Sequence, residues 1–392
     1  MIKLNKEELT LAAKLAQLKE ASGTHSPSIF TITEQLPELN VKVDACFLSN
    51  PYATDLFLEY LKKELIDTNK LRDVLEFYPS QNEVIAEFIG KSIHINKENI
   101  IVGNGAIELI QAVMHRFLGD KVVINIPTFS SYYEFATEDT EVVYYQLKKE
   151  ENYELMVDDY LSFVKKVNPD SVVIINPNNP NGGYMPYEKL RYLLNNLKEL
   201  KNIVIDESFI HFAFEDSNLA LISATELFKE YANVIVIKSM SKDFGIAGIR
   251  CGYAVMDKLK VSQLLRNGYL WNSSGLSEYF FRLYNRADFF NKYEGVRKRY
   301  IKEALEFFEE LSKIPQIKVY PSKANFTLIE LIDGTTSSDF ISKMLIKYGI
   351  YTRTCSDKIG LNGEFIRIAS RTKEENQSII NSIKQMFADD SK

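Results

Sequence analysis

Short runs of Val and Ile recur along the first two thirds of the chain, most of them bounded by Gly, Pro, Asn or Asp. Between several of them the apolar residues switch to a spacing of three and four. The runs predict strands at 99–102, 121–125, 142–146, 171–175, 202–205, 234–237 and 250–255, because β-branched residues between turn formers suit a pleated sheet. The wider spacing predicts helices. Ile107, Ile110, Val113 and Met114 share one face of 107–117, and 186–200 repeats the pattern. Strands apolar on both faces and alternating with helices point to an α/β fold, a mostly parallel sheet covered on both sides.

Past residue 275 the rhythm changes. A long helical stretch at 277–311 is followed by isolated strands at 318–320, 326–330 and 365–368 and a closing helix at 373–388. The expected organisation is a large α/β domain over 50–275 and a smaller α+β domain over 276–392. An N-terminal segment, 1–49, is expected to join the small domain or a dimer interface.

Charge and composition narrow the function classes. Lys and Arg number 47 against 53 Asp and Glu, an acidic balance unlike the basic stripe of a nucleic-acid binder. Three scattered cysteines and four histidines without ligand spacing suggest neither a disulfide framework nor a metal site. No uninterrupted apolar stretch approaches the ~18 residues of a membrane span. The start, with Lys3, Lys6, Glu7 and Glu8, lacks a signal-peptide core. A cytoplasmic, reducing location is the expectation.

Candidate chemistry lies at the strand ends. After the 234–237 run come Ser239, Ser241 and Lys242, then Gly245, Gly248, Arg250 and Gly252. A lone lysine there would be an ordinary surface residue. Flanked by two hydroxyls, an arginine fork and glycines that admit close approach, the segment suits a phosphate group. Asp206 follows the 202–205 run, where a carboxylate is either a helix cap or a ligand contact. Asn176 to Gly183 is a turn dense in amides, including Asn179. Gly103-Asn104-Gly105 opens a helix whose free N–H groups at Gly105, Ala106 and Ile107 form an anion site. Phe129 follows a strand and can stack on a flat ring. Alternation in 365–369 sets Arg367 on the face opposite Ile366 and Ile368, and a half-buried arginine needs an anionic partner. Arg353 and Arg371 flank it in sequence.

Together these segments resemble fold-type I pyridoxal-phosphate enzymes of the aminotransferase class I/II superfamily, from about residue 50 to 376 and in the family's order and spacing. The resemblance implies an aspartate aminotransferase-like fold with pyridoxal 5'-phosphate as cofactor. It implies that Lys242 carries the cofactor as a Schiff base and that Asp206 pairs with the pyridinium nitrogen. Asn179 would bond the ring 3-oxygen and Phe129 would stack on the ring. The backbone at Gly105, Ala106 and Ile107, with Ser239, Ser241 and Arg250, would hold the phosphate. Tyr52, in Ser49-Asn50-Pro51-Tyr52, resembles the tyrosine that reaches a neighbouring subunit's phosphate in histidinol-phosphate aminotransferases, which implies a homodimer with shared active sites. Arg367 would take the substrate carboxylate.

Two branches compete. Histidinol-phosphate aminotransferases usually carry tyrosine where this chain has Phe209, a residue that cannot donate. Arg353-Thr354-Cys355-Ser356, Gly360-Leu361 and Arg367-Ile368-Ala369-Ser370-Arg371 resemble threonine-phosphate decarboxylases; the aminotransferase branch tends to have glycine at Arg371, and this extra cation suits a substrate with both a carboxylate and a phosphate. The expected function is decarboxylation of a small phosphorylated amino acid, O-phospho-L-serine or L-threonine phosphate. The alternative is an aminotransferase of a small phosphorylated amine or amino acid with glutamate as donor. The lysine segment and Tyr52 favour that alternative. Residues 56–68 are longer than the corresponding region of either branch.

Overall fold

The computed structural model describes residues 4–23, 25–266, 268 and 273–390. It forms two compact units. The larger comprises residues 49–179 and 183–299, the smaller 1–48, 180–182 and 300–392.

The large unit is built on seven strands: β1 (Ile100–Gly103), β2 (Lys121–Ile126), β3 (Glu141–Gln146), β4 (Ser171–Ile175), β5 (Asn202–Asp206), β6 (Val234–Ser239) and β7 (Gly252–Val255). They lie in the order β1-β7-β6-β5-β4-β2-β3. All pairs from β6 to β3 are parallel, and β7 runs antiparallel to both neighbours. The interior strands β4, β5 and β6 are buried along their whole length, which is why each carries a run of Val and Ile with polar residues only at its ends. Edge strand β3 is instead mostly half-buried or exposed, with Tyr145 buried. The helix Ala106–Phe117 buries Leu109, Ile110, Val113 and Met114 against Val122, Ile124, Val173 and Ile235.

Two expectations shift. β7 starts at Gly252, not at 250, because Arg250 ends the turn Ala247–Ile249 in a left-handed conformation that a strand cannot continue. The stretch 277–311 is two helices, Gly275–Tyr284 and Ala287–Ser312, parted at Asn285. Residues 56–68 continue the helix Pro51–Leu61 into a π-helical turn, Lys62–Ile66.

The small unit holds an antiparallel sheet of β8 (Ile317–Val319), β9 (Phe326–Leu331), β10 (Arg353–Thr354) and β11 (Phe365–Ala369), in the order β10-β11-β9-β8. Phe307, Leu311, Phe340, Met344, Ile379 and Ile383 form a core with its apolar face, where Ile366 and Ile368 point. Residues 4–48 pack on this unit: Val43–Asp44 pairs in parallel with Ile350–Tyr351, and Leu15, Ile32, Leu36 and Leu39 cluster with Leu345 and Tyr351. Among the described residues no helix is long and apolar enough to cross a membrane.

Candidate active site

At one edge of the large sheet three strand ends stand in register. Gly103 closes β1 opposite Gly252 of β7, and Gly252 lies opposite Ser239, the last residue of β6. Further along, Ile175 of β4 pairs with Asp206 of β5, and Asp206 with Ile237 of β6. Parallel sheets bind ligands at such carboxyl ends, and the candidate segments of this unit at Gly105, Phe129, Asn179, Asp206 and Lys242 follow from them.

The β1 and β6 ends form an anion cradle. The helix Ala106–Phe117 begins at Gly105, which has no side-chain cap and a φ of 80°. Its first N–H groups lack intrahelical partners and sit at the positive end of the helix dipole. The Arg250 guanidinium lies against the same point: a Cβ on Gly105 would fall 2.4 Å from Arg250 Nη2. A Cβ on Gly252 would meet the Ala106 nitrogen at 2.8 Å. Only glycine leaves this space open. Ser239 and Ser241 are buried beside it, with the Ser241 N–H donating to Ser239 Oγ at 3.3 Å.

Asp206 is the acid of the β5 end. Its Oδ1 accepts from the Ser208 N–H at 2.7 Å and its Oδ2 from the Tyr132 hydroxyl at 2.9 Å. Burial raises its pKa, while Ser208, Tyr132 and the Lys242 charge oppose that rise. Lys242 is half-buried on the turn after β6. Its carbonyl accepts from the Asn50 N–H at 3.0 Å, and Thr54 Oγ1 donates to the Gly245 carbonyl at 2.7 Å. The Asn50-capped start of helix Pro51–Leu61 is thereby fixed to the lysine turn. Tyr52 follows two residues after Asn50, its ring 4.2 Å from the Arg299 guanidinium carbon.

A buried ionic network backs this turn. Lys238 is paired with Asp243 and donates to the Glu207 carbonyl at 3.1 Å. Asp243 also lies 3.5 Å from His211 Nδ1, which is 2.9 Å from the Tyr293 hydroxyl. Burial pushes the Asp243 carboxyl up to about 6 against the pull of Lys238 and Lys242. The network ties β6, the Lys242 turn and the residue after Asp206 into one assembly.

In the amide-rich turn, Asn176 exchanges bonds with the Met185 backbone at 2.8 and 2.9 Å, and Asn178 bonds Thr128 Oγ1 and the Pro127 carbonyl. These two asparagines hold the turn that presents Asn179, itself buried. Phe129 is half-buried against the core that contains Tyr132.

The arginines belong to the small unit. Arg353 and Arg367 stand opposite each other on β10 and β11. Arg353 donates to Ser26 Oγ at 3.0 Å and pairs with Asp357 at 2.7 Å, and Arg367 donates to the Cys46 carbonyl at 2.8 Å. Arg371 is set apart: its N–H donates to Asn376 Oδ1 at 2.7 Å, and its Nε lies 3.6 Å from Glu375.

The profile of the family described as aminotransferase class I and II matches residues 47–383. The chain belongs to this family. Among its curated relatives, L-serine phosphate decarboxylase of Campylobacter jejuni is 65% identical over 99% of both chains. L-serine phosphate decarboxylase of Sulfurospirillum multivorans is 50% identical over 95% of both. A solved structure of a decarboxylase from Sulfurospirillum multivorans superposes with a TM-score of 0.90 at 48% identity, covering 96% of this chain and 98% of the other. Histidinol-phosphate aminotransferases match at lower identity, for example 29% over 83% of this chain and 85% of the Methanococcus aeolicus protein.

The chain is thus a pyridoxal-phosphate enzyme, and the site fits the cofactor's three chemical parts. The glycine cradle with Arg250 suits its phosphate, the buried acid Asp206 its ring nitrogen, and Lys242 its aldehyde carbon. Tyr132, Lys238 and Asp243 escaped sequence reading. Tyr132 stands one residue beyond the Ser-Ser pair after Phe129 and looks like core; Lys238 looks like a polar end to an apolar strand.

Proposed function

We propose that this enzyme removes the α-carboxylate of O-phospho-L-serine as carbon dioxide and releases the phosphorylated amine. The observation that carries this reading is the 65% identity, spread over 99% of both chains, to an L-serine phosphate decarboxylase. Phe209 adds to it. That side chain is buried beyond Asp206 without a hydroxyl to offer the cofactor, where the aminotransferase branch usually has tyrosine.

The proposed roles divide by unit. Lys242 tethers the cofactor. The N–H groups at Gly105, Ala106 and Ile107, with Ser239, Ser241 and Arg250, hold its phosphate. Phe129 covers the ring face and Asn179 bonds the ring oxygen. Once bound, pyridoxal phosphate supplies an electron sink for the pair left when a bond at the substrate's Cα breaks. Asp206, whose charged form Ser208 and Tyr132 favour against the effect of burial, would keep a proton on the ring nitrogen so that the sink stays strong. The Lys242 amine would be the group that returns a proton to Cα. Arg353, Arg367 and Arg371 bind the substrate's anionic groups, with Arg367 on the carboxylate. That contact would fix the orientation of the carboxylate whose bond to Cα breaks.

We also propose a homodimer in which Tyr52 reaches the partner's cofactor phosphate, and a cytoplasmic location, in keeping with three buried free thiols at Cys46, Cys251 and Cys355. The test of the reaction is carbon dioxide release from O-phospho-L-serine with and without 2-oxoglutarate. Release that does not depend on the keto acid supports decarboxylation. Turnover that appears only with the keto acid overturns it.

A further inference from the structure

The ion pair behind the lysine turn is costly to bury. Lys238 and Asp243 close a turn over the four residues between them, which include Ser239, Ser241 and Lys242. Both side chains are buried, and a buried pair gains little stability over apolar side chains of the same volume. Asp243 is also left incomplete. Lys238 takes its Oδ2, and His211 Nδ1 stands 3.5 Å from the same atom. Among the described residues its Oδ1 has no hydrogen-bond partner, a further cost to the fold. The next residue fixes the carboxylate in place all the same: Phe244 stacks on Tyr293 with ring centroids 4.0 Å apart. Tyr293 stands one turn before Arg297 on the helix Ala287–Ser312, and Arg297 donates to the His211 carbonyl at 2.9 Å. Stability does not account for an acid here, whereas its position does. Asp243 is the chain neighbour of Lys242, and the Lys242 charge pulls its pKa down. The interaction is mutual, so an anionic Asp243 favours a proton on the Lys242 nitrogen.

We propose that Asp243 is a positioning residue, an internal anion that keeps the Lys242 nitrogen protonated while Lys238 keeps the carboxylate in place. This role rests on Lys242 as the cofactor's lysine and is independent of the choice of substrate. Above about 6 Asp243 is anionic, and the groups packed round it leave that charge standing. Burial, with Lys238 and Arg297, holds His211 far below its usual range and so uncharged. Burial likewise keeps the hydroxyls of Tyr253, Tyr284 and Tyr293 protonated. Asp206 and Glu207 are the neighbouring acids, the second pushed up by burial to about 7. Both remain when Asp243 is changed, so a difference between parent and variant belongs to Asp243.

The test is a pH titration of cofactor absorbance in holoenzyme without substrate, whose midpoint reports the proton on the Lys242 nitrogen. Asp243→Asn keeps the shape and removes the charge, whereas Asp243→Glu keeps the charge and alters the shape. Loss of the anion predicts a midpoint about one pH unit lower in the first and a midpoint close to the parent's in the second. A merely structural part for Asp243 would move both variants alike, or neither, and either result overturns the role. Lys238→Met combined with Asp243→Asn leaves no ammonium buried without its carboxylate and guards against misfolding of the single variant. Asp243 is the member of the pair that adjoins Lys242, so this midpoint should also fall, by less. A double variant at the parent's midpoint overturns the role. The two readings fail separately. Cofactor trapped by borohydride on a lysine other than Lys242 removes the tether and this role with it. Cofactor on Lys242 with unmoved midpoints keeps the tether and loses the role.

Discussion

Lys242 works in the field of two buried carboxylates, Asp206 and Asp243, and its charge acts on both. They serve different ends. Asp206 is held by Ser208 and Tyr132 at the strand end, whereas Asp243 is spent on Lys238. Lys242→Ala removes the proposed tether and leaves both members of the Lys238–Asp243 pair in place. It is expected to lose turnover while its thermal midpoint stays within a few degrees of the parent's. Borohydride reduction followed by peptide mass mapping should find the cofactor on Lys242 in the parent and nowhere in the variant. At this scale the sequence made Lys242, Asp206 and Arg250 legible because each stands beside glycines or follows an apolar run. Lys238 and Asp243 were not legible. What makes them unusual is burial among other charges, and that depends on strands distant in the chain. Arg371, counted with Arg353 and Arg367 from its neighbourhood in sequence, lies two residues past the end of β11 and beside Glu375.

The elements were readable wherever a strand is buried on both faces. β4, β5 and β6 are apolar runs closed by Asn, Asp or Ser, and their bounds lie close to the pattern. Short strands failed the same test. β10 is two residues long and polar, and it exists because β11 offers it a partner. The break at Asn285 was hidden by apolar residues that continue on both sides. Register supplies what pattern cannot: Gly103, Gly252 and Ser239 come together across three strands. Gly105→Ala tests the cradle that results. The substitution forces a Cβ onto a φ of 80° and into the Arg250 guanidinium, a strain of about 1–3 kcal/mol before the clash is counted. Cofactor affinity, followed by fluorescence quenching of apoenzyme, is expected to fall about tenfold or more. Unchanged affinity would show that the cofactor phosphate lies elsewhere.

At the scale of the whole molecule, the large unit exposes apolar side chains over a short span. Leu75, Phe77 and Tyr78 are 68, 65 and 88% exposed, with Leu58 and Ile66 also outward on the neighbouring helical segment. Clusters of this kind mark contact surfaces, and a second copy of the chain is the occupant that the Tyr52 resemblance implies. Phe77→Asp with Tyr78→Asp is expected to convert a dimer to monomer in light scattering and to weaken cofactor retention. A parent that sediments as a monomer would remove both the dimer and the shared phosphate contact.

The reaction itself is tested most directly by phosphorus NMR of O-phospho-L-serine incubated with holoenzyme alone. The phosphoserine resonance should be replaced by that of its phosphorylated amine, in step with one carbon dioxide per substrate and with no keto acid present. A phosphoserine signal that persists, or that converts to a phosphorylated keto acid only when an amino acceptor is added, would contradict the account.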